Sequence, residues 1–329
     1  KTYIYLIISR IKNYVNYRYL ILSFCCDIIS LVIFMGDKCS LCPRGCLIDR
    51  NNKVGYCNVN SQLKIARASL HLWEEPCISG EKGSGTIFFS GCNLRCVYCQ
   101  NYNISHNGFG KEISVSRLVE IFFELKDRGA NNINLVTPSH FVPLIKEAIV
   151  MAKEKGFDLP FVYNSSGYDS ISTLKMLDGL IDVYLPDFKY FDNDLAIMYS
   201  KCPNYVEVVM DAIEEMYRQV GRFVFDENNM IKKGVIVRNL VLPNYVENSK
   251  NIIKYLYDTY GDNIYISIMN QYTPCGKLEG YLEINRKLDS YEYEEVVEYA
   301  VSLGVCNAYI QEDGTCDESF IPSFDLSGV

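Results

Sequence analysis

Thr86-Ile87-Phe88-Phe89-Ser90-Gly91-Cys92-Asn93-Leu94-Arg95-Cys96-Val97-Tyr98-Cys99-Gln100 reads as a short apolar strand running straight into a cysteine loop. The cysteines are spaced C-x3-C-x2-C. Three thiolates on one short loop hold a soft metal centre from one side only. A structural zinc ion closes its shell with four ligands. A cubane [4Fe–4S] cluster held by three cysteines instead keeps one iron open for a substrate or cofactor. The stretch therefore predicts an iron–sulfur cluster with one reactive iron, carried on a strand-to-loop junction.

Downstream, helix-period runs at residues 116–128, 141–155, 171–180, 195–219, 247–260 and 290–303 alternate with strand-like runs at 132–137, 160–164, 181–185, 234–242 and 263–269; a last short run covers 306–311. Strands separated by helices mean βαβ units, an α/β class and a parallel sheet curved into a barrel or partial barrel. Ligands gather at the C-terminal ends of such strands, and the cysteine loop follows the first of them. Later strands end in polar groups that should converge on the same face: Thr137-Pro138-Ser139-His140, Tyr163-Asn164-Ser165-Ser166-Gly167-Tyr168, Pro186-Asp187-Phe188-Lys189, Arg238-Asn239 through Asn244, and Met269-Asn270-Gln271-Tyr272. Any one alone reads as a turn or cap. Together they suit a polar, zwitterionic ligand with ribose hydroxyls and a carboxylate.

Upstream, Cys39-Ser40-Leu41-Cys42-Pro43-Arg44-Gly45-Cys46, followed by Cys57, forms a metal-knuckle pattern. Pro43 and Gly45 suit the tight turn that brings backbone amides to sulfur. Structural zinc and an auxiliary Fe–S cluster fit equally well. Between the two cysteine groups, residues 71–80 hold the one Trp of the chain and one of its 3 His. His71 reads as part of a packed aromatic turn; the alternative is that His71 or Cys77 supplies a ligand to the knuckle or shapes the cluster pocket, and Gly80, Gly83 and Gly85 read as a flexible lead into the first strand.

With 329 residues, 49% of them hydrophobic, the chain can bury one large core, alone or with a small appendage. A net charge of −8 gives no footing for nonspecific nucleic-acid binding. The 14 cysteines cluster at metal-ligand spacings, not as a disulfide framework, which points to a reducing, cytoplasmic compartment. Cys202, Cys275, Cys306 and Cys316 read as ordinary thiols. Residues 1–34 are rich in Ile, Tyr and Leu and admit a membrane-anchor or signal-like reading; Asp27 interrupts the apolar run and Met35-Gly36-Asp37-Lys38 looks like a cytoplasmic start. An extension outside the working domain is the preferred reading, and Cys25 and Cys26 within it are assigned nothing. The expected organisation is that extension (1–34), a cysteine-rich segment (35–80) and a barrel with a C-terminal extension (81–329).

C-x3-C-x2-C with an aromatic before the third cysteine, opening a βα repeat, resembles the radical S-adenosylmethionine (SAM) superfamily. The wider pattern, GSGTIFFSGCNLRCVYCQNYNIS, NINLVTPSHF, VYNSSGYDSISTLKMLDGLIDVYLPDFKY, RNLVLPN and ISIMNQYTP, is similar to its PflX-type branch, homologues of pyruvate formate-lyase activating enzymes. The likeness runs from about residue 38 to the C-terminus and includes the N-terminal C-x2-C-P. It implies a partial (β/α)6 TIM-like barrel with an N-terminal cysteine-rich metal knuckle. It further implies that Cys92, Cys96 and Cys99 ligate three irons while SAM chelates the fourth. Tyr98 would contact adenine. The segment holding Thr137 and Ser139 would stand in for the glycine-rich run that binds the SAM amine, although it lacks the paired glycines. Ser165 and Ser166 would lie near ribose or carboxylate. Asp187 and Lys189 match a D-x-K motif whose Asp helps hold a cation near SAM, and Arg238 would contact ribose or carboxylate.

Reductive cleavage of SAM to methionine and a 5′-deoxyadenosyl radical, followed by hydrogen abstraction from a substrate, is the implied reaction. A flavodoxin- or ferredoxin-like electron donor is the implied partner. The target is not legible; relatives that activate glycyl-radical enzymes act on a glycine of a partner protein. The reading from another class is an electron-carrier or Fe–S/zinc scaffold without SAM chemistry, which would not need polar groups at five successive strand ends.

Overall fold

The computed structural model describes residues 38–275, 278–311 and 322–329. The expected extension at 1–34, with Cys25 and Cys26, lies outside the described residues, as does Cys316. Strand β1 (Leu63–His71) runs antiparallel beside β2 (Ser84–Phe89), and β3 (Lys111–Ile113) runs antiparallel beside the start of β1. From β2 the pairing turns parallel and follows chain order through β4 (Ile133–Val136), β5 (Phe161–Ser165), β6 (Val183–Pro186), β8 (Ile231–Leu240), β9 (Tyr265–Met269) and β10 (Ala308–Ile310). A two-residue strand, β7 (Val224–Phe225), flanks β8. Among the described residues no pairing joins β3 to β10, so the parallel sheet is a partial barrel. The short β10 falls within the last short run expected at 306–311.

The helices are α1 (Pro76–Ser79), α2 (Tyr102–Ser105), α3 (Val115–Asp127), α4 (Val142–Glu154), α5 (Ile171–Lys175), α6 (Asn193–Ser200), α7 (Tyr205–Val220), α8 (Val246–Tyr260) and α9 (Ser290–Leu303). Side chains alternate across a strand, and that alternation divides the protein into an outer and an inner core. Ile87, Phe89, Leu135, Phe161, Tyr163, Tyr184, Val235, Val237 and Ile266 join the large apolar layer shared with the helices. Their neighbours Val162, Val183, Leu185 and Ile236 face inward and pack with Cys77 and Ile78 of α1. Helix α1 thus plugs one end of the barrel. Asn132 ties it down, donating to Ile78 O at 2.8 Å and accepting from the Ser84 hydroxyl at 2.6 Å. One step further along the same inward faces come Asn164, Asp187 and Arg238. Apolar floor and polar ceiling follow from one period of two.

Strand β1 was not foreseen, and the reason is a register shift between Ile65 and Arg67. The bulge breaks the alternation by which a strand is read. The single helix expected over 195–219 is two. Lys201 adopts a left-handed conformation (φ 54°) that ends α6, and Pro203 removes an N–H and disfavours helical geometry at Cys202. The run expected over 171–180 stays helical only to Lys175. Gly85 lies inside β2, not in a lead to it, where a β-carbon would sit 2.8 Å from Asn132 O.

Candidate active site

The cysteine loop leaves β2 at Gly91, whose φ of +83° suits glycine and whose missing β-carbon makes room for the Cys57 carbonyl. Backbone bonds pin the loop from three sides. Gly91 donates to Ile104 O at 2.8 Å, Cys92 to Cys57 O at 3.3 Å, and Arg95 and Val97 to Ser200 O and Tyr199 O at 3.2 and 2.8 Å. The split between α6 and α7 is what brings Ser200 here. On the side approaching from β4, His140 donates its Nε2 hydrogen to Ser90 O at 2.8 Å.

Each thiol has a polar neighbour. The Leu94 amide donates to Cys92 Sγ at 3.4 Å and the Ser200 hydroxyl to Cys96 Sγ at 2.9 Å, while Ser105 Oγ lies 3.2 Å from Cys99 Sγ. Burial raises all three thiol pKa values, that of Cys99 to about 12, and Cys96 raises Cys92 and Cys99 further; the Lys189 ammonium only partly offsets this. Left to themselves these thiols stay protonated, and a thiophilic metal is what would draw them into thiolate form. Among the described residues no three His, Cys, Asp or Glu side chains converge on a single-ion position. A cubane asks for a different arrangement, one thiolate on each of three separate irons. Three desolvated thiols on one pinned loop, with hydrogen-bond donors aimed at sulfur, fit that group.

Across from the loop stand four charges, Arg238 on β8, Asp187 and Lys189 just beyond β6, and Glu74 beyond β1. Arg238 donates from Nε to Asp187 Oδ1 at 2.8 Å, from one terminal nitrogen to Glu74 Oε2 at 3.1 Å and from the other to Asn164 Oδ1 at 2.7 Å. Lys189 closes on Asp187 Oδ2 at 2.6 Å. Burial alone would raise the Asp187 carboxyl, but Arg238 and Lys189 outweigh it and hold the pKa below the usual value. Burial pushes Glu74 up, while Arg238 and Asn134 pull it back. Glu75 is pushed up chiefly by burial too, and its Oε2 finds no hydrogen-bond partner. Two cations and two carboxylates so arranged offer both signs of charge to a zwitterion.

A cavity of about 240 Å³ separates loop and charges. Its walls include Cys96, Tyr98 and Cys99 from the loop, Asn164, Asp187, Lys189 and Arg238 from the strand ends, and His71, Trp73 and Phe88. Of the expected SAM-contacting residues, Tyr98, Asp187, Lys189 and Arg238 therefore reach it. Both Asp187 oxygens are already bonded to Lys189 and Arg238. Thr137, Ser139, Ser165 and Ser166 are not among the lining residues. The parity of β5 explains Ser165: Asn164 faces in, so Ser165 faces out, where it donates to Asp169 at 2.6 Å beside Tyr163 at 2.8 Å. Ser139 is buried against the same carboxylate, and Ser166 Oγ lies 3.4 Å from Asn93 Oδ1. Thr137 takes a φ of +59°, left-handed geometry that costs a β-branched residue on the order of 1–3 kcal/mol, at the place where the resemblance calls for glycine. Its amide is held by Asn164 O at 2.8 Å.

Glu74 was missed as a site residue, and Asn164 stood among the converging strand-end groups without a role of its own. Glu74 follows the unforeseen β1, whereas Asn164 was recoverable from the period of two. His71 packs edge-on against Phe88, with ring centroids 6.1 Å apart. Cys77 lies at the barrel floor. The Cys275 thiol donates to Tyr98 O at 3.2 Å.

The knuckle closes through Cys39 N to Ile48 O at 2.8 Å and Leu47 N to Cys39 O at 3.0 Å. Gly55 packs between Cys57 Sγ and Cys46 Sγ, which a β-carbon there would meet at 3.4 and 3.7 Å. The Tyr56 amide donates to Cys46 Sγ at 3.4 Å. Burial raises Cys57 and pushes Cys42 up to about 12, with the neighbouring thiols adding to it. Arg44 stacks on Tyr56, 4.0 Å from the ring centroid, and donates to Asn93 O and Lys201 O at 2.8 and 2.6 Å. The knuckle is thereby bolted to the cysteine loop and to the end of α6.

The family model described as the Radical SAM superfamily matches residues 86–233. An uncharacterized protein of Methanocaldococcus jannaschii is 31% identical over 274 residues, covering 80% of this chain and 74% of its own. The pyruvate formate-lyase-activating enzyme of Clostridium pasteurianum is 26% identical over 117 residues, 33% of this chain and 46% of that protein. Among solved structures, Streptococcus suis SuiB bound to S-adenosylmethionine aligns over 68% of this chain and 48% of its own, with TM-score 0.46 and 14% identity. The FeFe-hydrogenase maturase HydG from Carboxydothermus hydrogenoformans aligns over 72% and 56%, with TM-score 0.47 and 13% identity. The chain spans about half the length of these solved chains. With the C-x3-C-x2-C loop after the first parallel strand, the family model and the archaeal relative, the chain belongs to the radical SAM superfamily.

Proposed function

We propose that the protein is a radical SAM enzyme whose cavity holds SAM between a [4Fe–4S] cluster on Cys92, Cys96 and Cys99 and the charged group Asp187, Lys189, Arg238 and Glu74. Superfamily membership implies the cofactor pair; the observation that carries the residue assignment is the shared cavity wall of Cys96, Cys99, Tyr98, Asp187, Lys189 and Arg238. When bound, the reduced cluster and SAM supply the one-electron cleavage that yields methionine and a 5′-deoxyadenosyl radical. The chain's own work is positioning and shielding. Lys189 and Arg238 present positive charge where a methionyl carboxylate would lie, and Glu74 and Asn164 present acceptors to an amine or hydroxyls. Tyr98, Phe88, Trp73 and Met269 narrow the space open to water.

The radical's target is a further part of the proposal. Hydrogen abstraction from a glycine of a partner protein is supported by the partial likeness to the Clostridium activating enzyme; a small-molecule target is the alternative. A flavodoxin- or ferredoxin-like protein would supply the electron. Cys39, Cys42, Cys46 and Cys57 are proposed as a second site, for an Fe–S cluster or for a zinc ion that would draw together side chains that do not converge on a single-ion position without it, and metal analysis of Cys42→Ala against the parent protein separates it from the first. A reducing compartment such as the cytoplasm is the proposed setting, and the two thiol-rich sites support it. No helix among the described residues is long and apolar enough to cross a membrane.

The assignment of an open iron is tested by electron paramagnetic resonance of the dithionite-reduced protein. Adding SAM should change the spectrum of the cluster, because a ligand joins one iron directly. An unchanged spectrum at saturating SAM counts against the assignment.

A further inference from the structure

A line of hydroxyl groups connects the cavity wall to one sulfur of the loop. Tyr98 OH lies 2.5 Å from Tyr190 OH, Tyr190 OH 2.7 Å from Ser200 Oγ, and Ser200 Oγ 2.9 Å from Cys96 Sγ. All four residues are buried; Tyr190 and Ser200 are 0% exposed. Counting donors fixes the direction. A metal-bound Cys96 thiolate has no hydrogen, so Ser200 must donate to it. Ser200 then has only acceptor capacity left for Tyr190, and Tyr190 only acceptor capacity left for Tyr98. Every hydrogen points toward the sulfur, the arrangement in which successive bonds polarise one another. Ser105 beside Cys99 differs, because His106 Nδ1 at 2.9 Å competes for its hydrogen.

Resting on the cluster assignment above, we infer that the Tyr98–Tyr190–Ser200 hydroxyl chain raises the reduction potential of the cluster held by Cys96. Ser200 is thus a positioning residue that eases entry of the electron. The couple takes up one electron from a low-potential one-electron donor. No bond forms or breaks, no proton is transferred, and the cluster with its thiolates becomes one unit more negative. A donor aimed at a ligating sulfur favours that more negative state. Ser200 is buried, so bulk water does not reach its position to replace the lost bond.

Midpoint potentials of the anaerobically reconstituted full chain, measured by dye-mediated titration with dithionite and followed by electron paramagnetic resonance, test this. Ser200→Ala should shift the midpoint to more negative values, about tenfold in the reduction equilibrium, or about 59 mV for a one-electron couple. Tyr190→Phe keeps the ring and the Ser200 bond, so it should shift the midpoint the same way by less. Ser200→Thr should restore the parent value. Tyr190→Phe carries the test if Ser200→Ala does not fold. Unshifted midpoints in the variants that retain full iron content overturn the inference. Absence of any four-iron signal in the parent protein overturns the cluster assignment instead.

Discussion

The Cys57 carbonyl accepts the Cys92 amide at 3.3 Å, so the last cysteine of the knuckle is hydrogen-bonded to the first cysteine of the loop. Two motifs that stand 35 residues apart by number are one joint in space. Arg44 is the bolt beside it, reaching Asn93 O, Ser200 O and Lys201 O. Arg44→Ala should destabilise the protein by about 1–3 kcal/mol, since hydrogen bonds to a charged group are worth about that much. It should also speed loss of iron from the loop to an added chelator. Thermal denaturation and timed chelator challenge measure the two effects. Faster iron loss without a lower Tm would still fit the joint; parent-like values of both would not.

The buried charges opposite the cysteine loop should be intolerant of single truncation. Arg238→Ala leaves Glu74 without its cation, Asp187 with Lys189 alone and Asn164 without its donor. Removing one partner of a buried pair costs about 3–5 kcal/mol. Lys189→Met should cost less, because Asp187 keeps Arg238. Urea denaturation of both variants checks the order, and the reverse order would count against the assigned pairing.

His140 should make the protein acid-sensitive above the carboxylate range. Burial, with Arg50 adding to it, lowers its pKa from 6.5 to about 3. The unfolded chain takes up a proton at this residue below about 6.5, whereas the folded protein resists until about 3. Stability therefore falls as the pH drops through that window, by at most about 1.4 kcal/mol per unit. His140→Asn removes the titration. The difference in unfolding free energy between parent and variant should narrow from pH 7 to pH 4; a constant difference would contradict this.

How much of this was legible depends on which kind of pattern carried it. The cysteine spacing and the alternating periods disclosed the loop, the parallel strands and their ligand-binding end. Asp187, Lys189 and Arg238 reached the cavity because each lies on or just beyond a strand end. Ser165 did not, and a strict count of two from Val162 would have chosen Asn164. Glu74 was hidden because the bulge at residues 65–67 masks β1. Ser200 was hidden for another reason: it ends a helix that Lys201 and Pro203 break off and that period alone runs onward.

The most direct test of the central claim is anaerobic reconstitution with iron and sulfide, followed by incubation with dithionite and SAM and quantification of 5′-deoxyadenosine. The parent protein, carrying four irons on the loop, should form 5′-deoxyadenosine and methionine in equal amounts, and Cys96→Ala should form neither. Full cluster loading in the parent protein with no 5′-deoxyadenosine would contradict the account.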